Sequence, residues 1–115
     1  QLVSLQYGDV RDEVDAASAA TGVPIHHWPE TLVDQDDAAA LTCAVDAVLT
    51  VCQTQAHLTG ALGRPGCVLV PANPNWRYGA TAPSTPWYPS LRLVRQQVLG
   101  DWSAVQVAEW AGGLF

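Results

Sequence analysis

The chain contains no lysine and no methionine, a single phenylalanine, and no pair of cysteines spaced to grip a metal. Arginine is its only strongly basic residue, five in all against 11 acidic residues, for a formal net charge of −6. Nucleic acids and anionic membrane surfaces are bound through a concentrated basic field. The charge balance therefore argues against both, while leaving room for a small anionic ligand held by one or two placed arginines. No stretch approaches the roughly 18 apolar residues of a membrane span, and no basic segment leads into an apolar run as in a secretory leader. Cys43, Cys52 and Cys67 are odd in number and lie in separate apolar segments, which reads as reduced thiols in a cytoplasmic protein. The missing methionine and the start at Gln1 lead to the expectation of a segment cut from a longer protein.

What is present suits one folded domain over 1–115: 49% of residues are apolar, five of them tryptophan, enough for a core at a typical domain length. Short β-branched runs alternate with alanine-rich ones, the pattern of an α/β fold with a Rossmann-like parallel sheet and helices on both faces. Strands are expected at Leu2–Tyr7, Val23–Trp28, Val45–Cys52, Cys67–Val70 and Leu91–Arg95, the last as an edge strand. Val45–Cys52 is mostly apolar, so it reads as a central strand buried on both faces. Helices are expected over Asp12–Ala20, from a cap at Asp36 or Asp37 to Ala44, over Thr54–Leu62, and over Trp102–Trp110 with Asp101 as cap. Between Ala72 and Ser90, four prolines and the aromatics Trp76, Trp87 and Tyr88 rule out a regular element. A loop of that length is functional or disordered, and its tryptophans favour order.

Ligands of open parallel sheets bind beyond the carboxyl ends of the strands. Cys52–His57 and Pro71–Arg77 are expected there, with Tyr7-Gly8-Asp9 as a third segment. The turn at Val51-Cys52-Gln53-Thr54 runs from a strand straight into a helix, whose first N–H groups lack intrahelical partners and favour an anion such as a diphosphate. Thr54 either caps the helix or offers its hydroxyl to that anion. His57 either contacts phosphate or sugar, or packs under a loop. Arg77 can pair with a phosphate and Trp76 can stack on a base or sugar, unless both form an aromatic plug over the sheet edge. His26-His27 lack a third ligand, and adjacent strand residues face opposite ways, so no metal site is expected. There is no glycine-rich phosphate loop and no recognisable nucleophile–base pair, and the catalytic base is unknown.

Two stretches carry a family resemblance. Val51-Cys52-Gln53-Thr54-Gln55-Ala56-His57-Leu58-Thr59-Gly60-Ala61-Leu62-Gly63-Arg64-Pro65 is one. Trp76-Arg77-Tyr78-Gly79 with Pro86-Trp87-Tyr88-Pro89-Ser90-Leu91-Arg92-Leu93-Val94-Arg95-Gln96 is the other. Together with Val3-Ser4-Leu5-Gln6-Tyr7, they resemble the C-terminal lobe of bacterial tetratricopeptide-repeat (TPR) proteins carrying a heptosyltransferase-like, family-nine glycosyltransferase domain. The resemblance implies a GT-B architecture, a nucleotide-diphosphate sugar as ligand, no metal and no cofactor, and an acceptor of unknown kind. It places Gln53, Thr54, His57, Trp76 and Arg77 around the donor. The chain departs from the pattern where Cys52-Gln53 replaces an acidic residue before the threonine, and it lacks an opening strand and the acceptor lobe. It is accordingly expected to be inactive alone. A non-catalytic interaction or sugar-sensing module on a TPR scaffold is the alternative, and a homodimer through an exposed sheet edge is a further expectation.

Overall fold

The computed structural model describes residues 1–113, and its backbone contacts gather into two compact units, Gln1–Val45 and Asp46 onward. In both, parallel strands are flanked by helices, an α/β arrangement compatible with a Rossmann-like fold.

In the first unit, β1 (Leu2–Ser4) pairs in parallel with β2 (Ile25–His27), placing Val3 opposite His26. Both strands are shorter than their sequence runs, because Gly8 turns the chain at φ 94° and Pro24 donates no hydrogen bond to a ladder. Between them runs α1 (Arg11–Thr21), with Asp12 and Glu13 in its first turn and Gly22 closing it at φ 67° through a bond from its N–H to Ser18 O. α2 (Gln35–Ala44) starts two or three residues earlier than a cap at Asp36 or Asp37 anticipates. The cap is Asp34, whose carboxylate accepts the N–H groups of Asp36 at 2.8 Å and Asp37 at 3.2 Å. Asp36 and Asp37 instead lie in the first turn, where their charge suits the helix dipole.

The second unit holds a three-stranded sheet in the order β3 (Val48–Val51), β4 (Gly66–Val70), β5 (Leu91–Arg95), all parallel. β4 is therefore the central strand of this sheet, and β3 an end strand. One face of β3 is buried through Val48 and Thr50, but Leu49 and Val51 on the other are about half exposed, at 52% and 47%. This corrects the expectation of a strand buried on both faces: an apolar run does not reveal whether its strand is central. α3 (Thr54–Ala61) joins β3 to β4 and contributes Ala56 to a core of Val68, Val70, Tyr78, Leu91 and Leu93. Gly63 at φ 65° ends α3, and Arg64 N–H reaches back to Thr59 O at 3.0 Å, as its Gly-Arg-Pro punctuation anticipates. The last helix, α4, covers only Ala108–Gly112. Asp101 accepts Ser103 N–H at 2.9 Å, but caps a turn rather than a helix from Trp102, in a segment whose Val105 and Val107 are weak helix formers.

Gly66 sets how closely these layers approach. A Cβ there would lie 2.6 Å from Leu91 Cδ2 and 3.0 Å from Thr59 Cγ2, between β5 and α3. Gly66→Ala is expected to lower the unfolding free energy by about 1–3 kcal/mol, the usual cost of overpacking, as read by chemical denaturation. An unchanged midpoint would show that the layers are looser than described.

Candidate functional site

The carboxyl ends of β3 and β4 feed the two segments the sequence singles out. Beyond Val51 the chain turns tightly, with Gln53 N–H bonded to Val51 O at 2.8 Å. Gln53 takes the N-cap position of α3 in an extended conformation, φ −147°, and its side-chain amide donates to Thr50 Oγ1 at 3.3 Å instead of capping the helix. Thr54 is thus the first helical residue rather than the cap. Both residues are exposed, and no side chain caps α3. The Ala56 N–H is bonded to Gln53 O at 3.0 Å, which leaves the outermost part of this helix start, at exposed Thr54, and the positive end of its dipole toward the surface.

His57, in the first turn of α3, is half-buried. Its Nδ1 lies 3.2 Å from the Tyr88 hydroxyl, and its ring meets Tyr88 edge-on at 5.7 Å and Tyr78 at 6.3 Å. The packing of His57 under a loop is therefore real for one ring nitrogen. Tyr88 comes this close because Gly60, one turn on, has no side chain; a Cβ there would overlap the Tyr88 ring and lie 2.7 Å from its Cβ. The small residue at 60 makes room for the loop, whereas at the sheet that service falls to Gly66.

Trp76 and Arg77 sit in a short 3-10 turn, Trp76–Tyr78, capped by Asn75, whose side-chain Oδ1 accepts both the Arg77 N–H at 3.2 Å and a bond from Arg77 Nη1 at 3.3 Å. The guanidinium lies over the Trp76 ring at 5.3 Å, and Trp76 meets Trp87 nearly perpendicular, with ring centroids 6.4 Å apart. Trp76 is 72% exposed and Trp87 59%, so neither is a buried plug. Tyr78 turns the other way into the core, its hydroxyl buried beside the Cys52 thiol. Sulfur is a weak acceptor, and that hydroxyl has no well-formed hydrogen bond. The structure thus joins the Cys52–His57 turn to the Trp76–Tyr78 segment through Cys52, His57 and Tyr78. Tyr7-Gly8-Asp9 follows β1 in the first unit.

Three features of this site escape sequence reasoning. Arg95, the last residue of β5, holds the loop by its backbone: Nε and Nη2 donate to Ala82 O at 3.1 and 3.0 Å, Nη1 to Gly79 O at 3.1 Å, and Nη2 also to Tyr78 O. Buried Gln96 accepts Ala72 N–H at 3.1 Å and so ties down the start of the same loop. Finally, Leu93 N–H bonds Pro83 O at 2.8 Å and Ser84 bridges Arg92, so the loop itself lines the outer edge of β5. The only sequence signal for the clamp was an arginine ending a strand beside a proline-rich loop.

Burial pushes the Cys52 thiol above its ordinary value near 9.0, against smaller downward pulls from the Tyr78 hydroxyl and Arg95. Burial also raises the Tyr78 phenol, with the neighbouring Cys52 adding to the shift. Cys52 is therefore a protonated thiol at neutral pH and a poor nucleophile. The arrangement offers donors, an arginine and aromatic faces, which is binding chemistry. Among the described residues no group of three or more histidine, cysteine, aspartate or glutamate side chains is gathered to hold a metal ion. No helix of the described residues is long and apolar enough to cross a membrane.

The chain is similar to protein FlbA of Caulobacter vibrioides. Over 105 residues, 39% are identical; the match covers 88% of this chain but 17% of FlbA. The chain thus spans less than a fifth of the length of that curated relative. No family model and no solved structure matches it.

Two outcomes check the site. Alanine normally improves a helix interior over glycine by about 1 kcal/mol, yet Gly60→Ala is expected to give no such gain. It should instead displace Tyr88 and make the 79–90 loop markedly more sensitive to limited proteolysis. Alkaline pH supplies the second check. In the unfolded chain Cys52 and Tyr78 lose protons near 9.0 and 10.0, while the folded state holds them to higher pH. Above about pH 9 the unfolded state binds fewer protons, so stability falls as pH rises, with no contribution from these groups below that. Denaturation midpoints between about pH 8 and 10.5 should decline in the wild type and decline less in Cys52→Ala.

Proposed function

We propose that this chain is the donor-binding part of a glycosyltransferase-like protein that uses a nucleotide-diphosphate sugar, working with further chain segments that supply the acceptor side. The observation that carries the reading is the exposed start of α3, uncapped by any side chain, at the carboxyl end of a parallel strand. Such an end attracts the diphosphate and stabilises it as negative charge builds during departure from the sugar. Arg77, held to Asn75 and facing solvent, adds a cation on the Trp76–Tyr78 segment, which meets α3 through Tyr78 and His57. The likeness of the 51–65 and 76–96 stretches to TPR-linked, heptosyltransferase-like GT-B lobes supports the same ligand class. Gln53, Thr54, His57, Trp76 and Arg77 are then donor contacts, and the protein acts in the cytoplasm, where nucleotide sugars are available.

A second reading, a non-catalytic sugar-sensing or interaction module, is favoured by one specific observation. Where the resemblance leads one to expect an acid, this chain has a neutral, half-buried thiol and a glutamine engaged with Thr50. The side chains gathered at the site include no carboxylate to serve as a base.

Thr54→Pro separates a working amide site from an idle one. Proline is tolerated at the first helical position and deletes one N–H, and the extended Gln53 suits a following proline. Calorimetric titration with UDP-, ADP- and GDP-sugars is expected to show saturable binding, weakened roughly ten-fold or more by Thr54→Pro and by Arg77→Ala, as loss of a charge-assisted hydrogen bond implies. Binding without sugar transfer or hydrolysis by the longer protein points to the sensing module. No saturable binding to any of them sinks the donor-binding reading and favours the interaction module.

A further inference from the structure

The two exposed indoles are not accounted for by anything the fold requires. Large apolar side chains normally help to close a core, yet Trp76 and Trp87 are 72% and 59% exposed while the loop around them is firmly anchored. Thr85, buried at 5%, accepts the Trp87 N–H at 3.3 Å and fixes the turn that presents this ring. Asn75 fixes the turn that presents Trp76. Behind both, the Arg95 guanidinium holds the carbonyls of Tyr78, Gly79 and Ala82. The indole planes stand 81° apart, making a corner with two perpendicular aromatic walls. A flat ring stacked on one wall presents its edge to the other, and both contacts are favourable geometries for aromatic pairs.

Charge and reach narrow the occupant. Arg77 stands at the corner over Trp76, a cation within a chain whose net charge is −6, so the local field suits a ligand that is both flat and anionic. Trp76 is two residues from Tyr78, whose ring lies 6.3 Å from His57 in the first turn of α3. The corner and the α3 amides thus belong to segments joined through the Tyr78–His57 ring contact. We propose that the Trp76–Trp87 corner seats the nucleobase of a nucleoside diphosphate whose phosphates lie at the start of α3. This rests on the donor-binding reading for the phosphates, but adds a base subsite and gives Trp87 a role that reading does not assign.

The test uses the full chain, wild type and the Trp87→Ala, Trp87→Phe and Trp76→Ala variants, titrated by calorimetry and tryptophan fluorescence. The probes are UDP, ADP, inorganic diphosphate, free uridine and adenosine, and a methyl glycoside. Because Trp87 is mostly exposed, Trp87→Ala should keep the wild-type circular dichroism, and Trp87→Phe restores an aromatic wall if it does not. Stacking on an aromatic side chain changes base affinity by about ten-fold or more. Nucleoside diphosphates should therefore bind at least ten-fold tighter than inorganic diphosphate. Trp87→Ala should erase most of that margin without altering diphosphate affinity, Trp76→Ala should erase it while also weakening diphosphate through loss of the Arg77 contact, and Trp87→Phe should keep most of it. Equal affinity for nucleoside diphosphates and diphosphate overturns the base subsite while leaving the phosphate site intact. Nucleosides that quench fluorescence in a Trp87-dependent way, with no binding of diphosphate, uphold the corner while the donor reading falls. A response to the methyl glycoside alone overturns the proposal in favour of a sugar platform.

Discussion

A single guanidinium organises the part of the second unit where its ligand chemistry gathers. The long loop between β4 and β5 has several carbonyl oxygens that no strand or helix can pair, and an unpaired polar group shielded from water is costly. Arg95 answers for three of them at once, those of Tyr78, Gly79 and Ala82, using the fixed fork of donors that arginine alone carries. With that anchor in place, Gln96 can hold Ala72, Pro83 and Ser84 can line β5, and Tyr88 can settle on Gly60 beside His57. The proline-rich segment becomes an ordered wall over the carboxyl end of the sheet.

That wall gives the site its chemical character. Its inner side carries a protonated thiol, two tyrosines and an imidazole within hydrogen-bond distance of a phenol. Its exposed side carries two indoles, an arginine and the amide-bearing start of α3. Such a combination recognises anions and flat rings well and moves protons poorly. That balance is what the donor-binding proposal draws on.

Much of the fold was legible from local chemistry. The alternation of β-branched and alanine-rich runs announced the parallel α/β arrangement, and Gly22 and Gly63 follow the ends of α1 and α3 with the left-handed backbone that glycine accepts most readily. Errors arose where a choice depended on neighbours. Asp34, Asp36 and Asp37 are equally good caps by type, and the register of α2 selected the first. The apolar Val45–Cys52 run looked central, yet β4 took that place and left Leu49 and Val51 half exposed. Trp102–Trp110 had helical periodicity, but only Ala108–Gly112 formed a regular helix.

The candidate site divides along the same line. Composition and spacing by themselves determined that a strand would run into a helix at Thr54, and that aromatics and an arginine would cluster in an irregular loop. Both follow from backbone propensities that act over a few residues. Only tertiary structure decided that Gln53 would occupy the cap position, that Tyr78 would turn inward while Trp76 turned outward, and that Trp87 would stand perpendicular to Trp76. Those outcomes depend on Arg95, Gly60 and Gln96, which meet the loop from 13 to 28 residues away in sequence. Contacts at such separations are set by packing and by the need to pair buried carbonyls, and no short-range pattern encodes them.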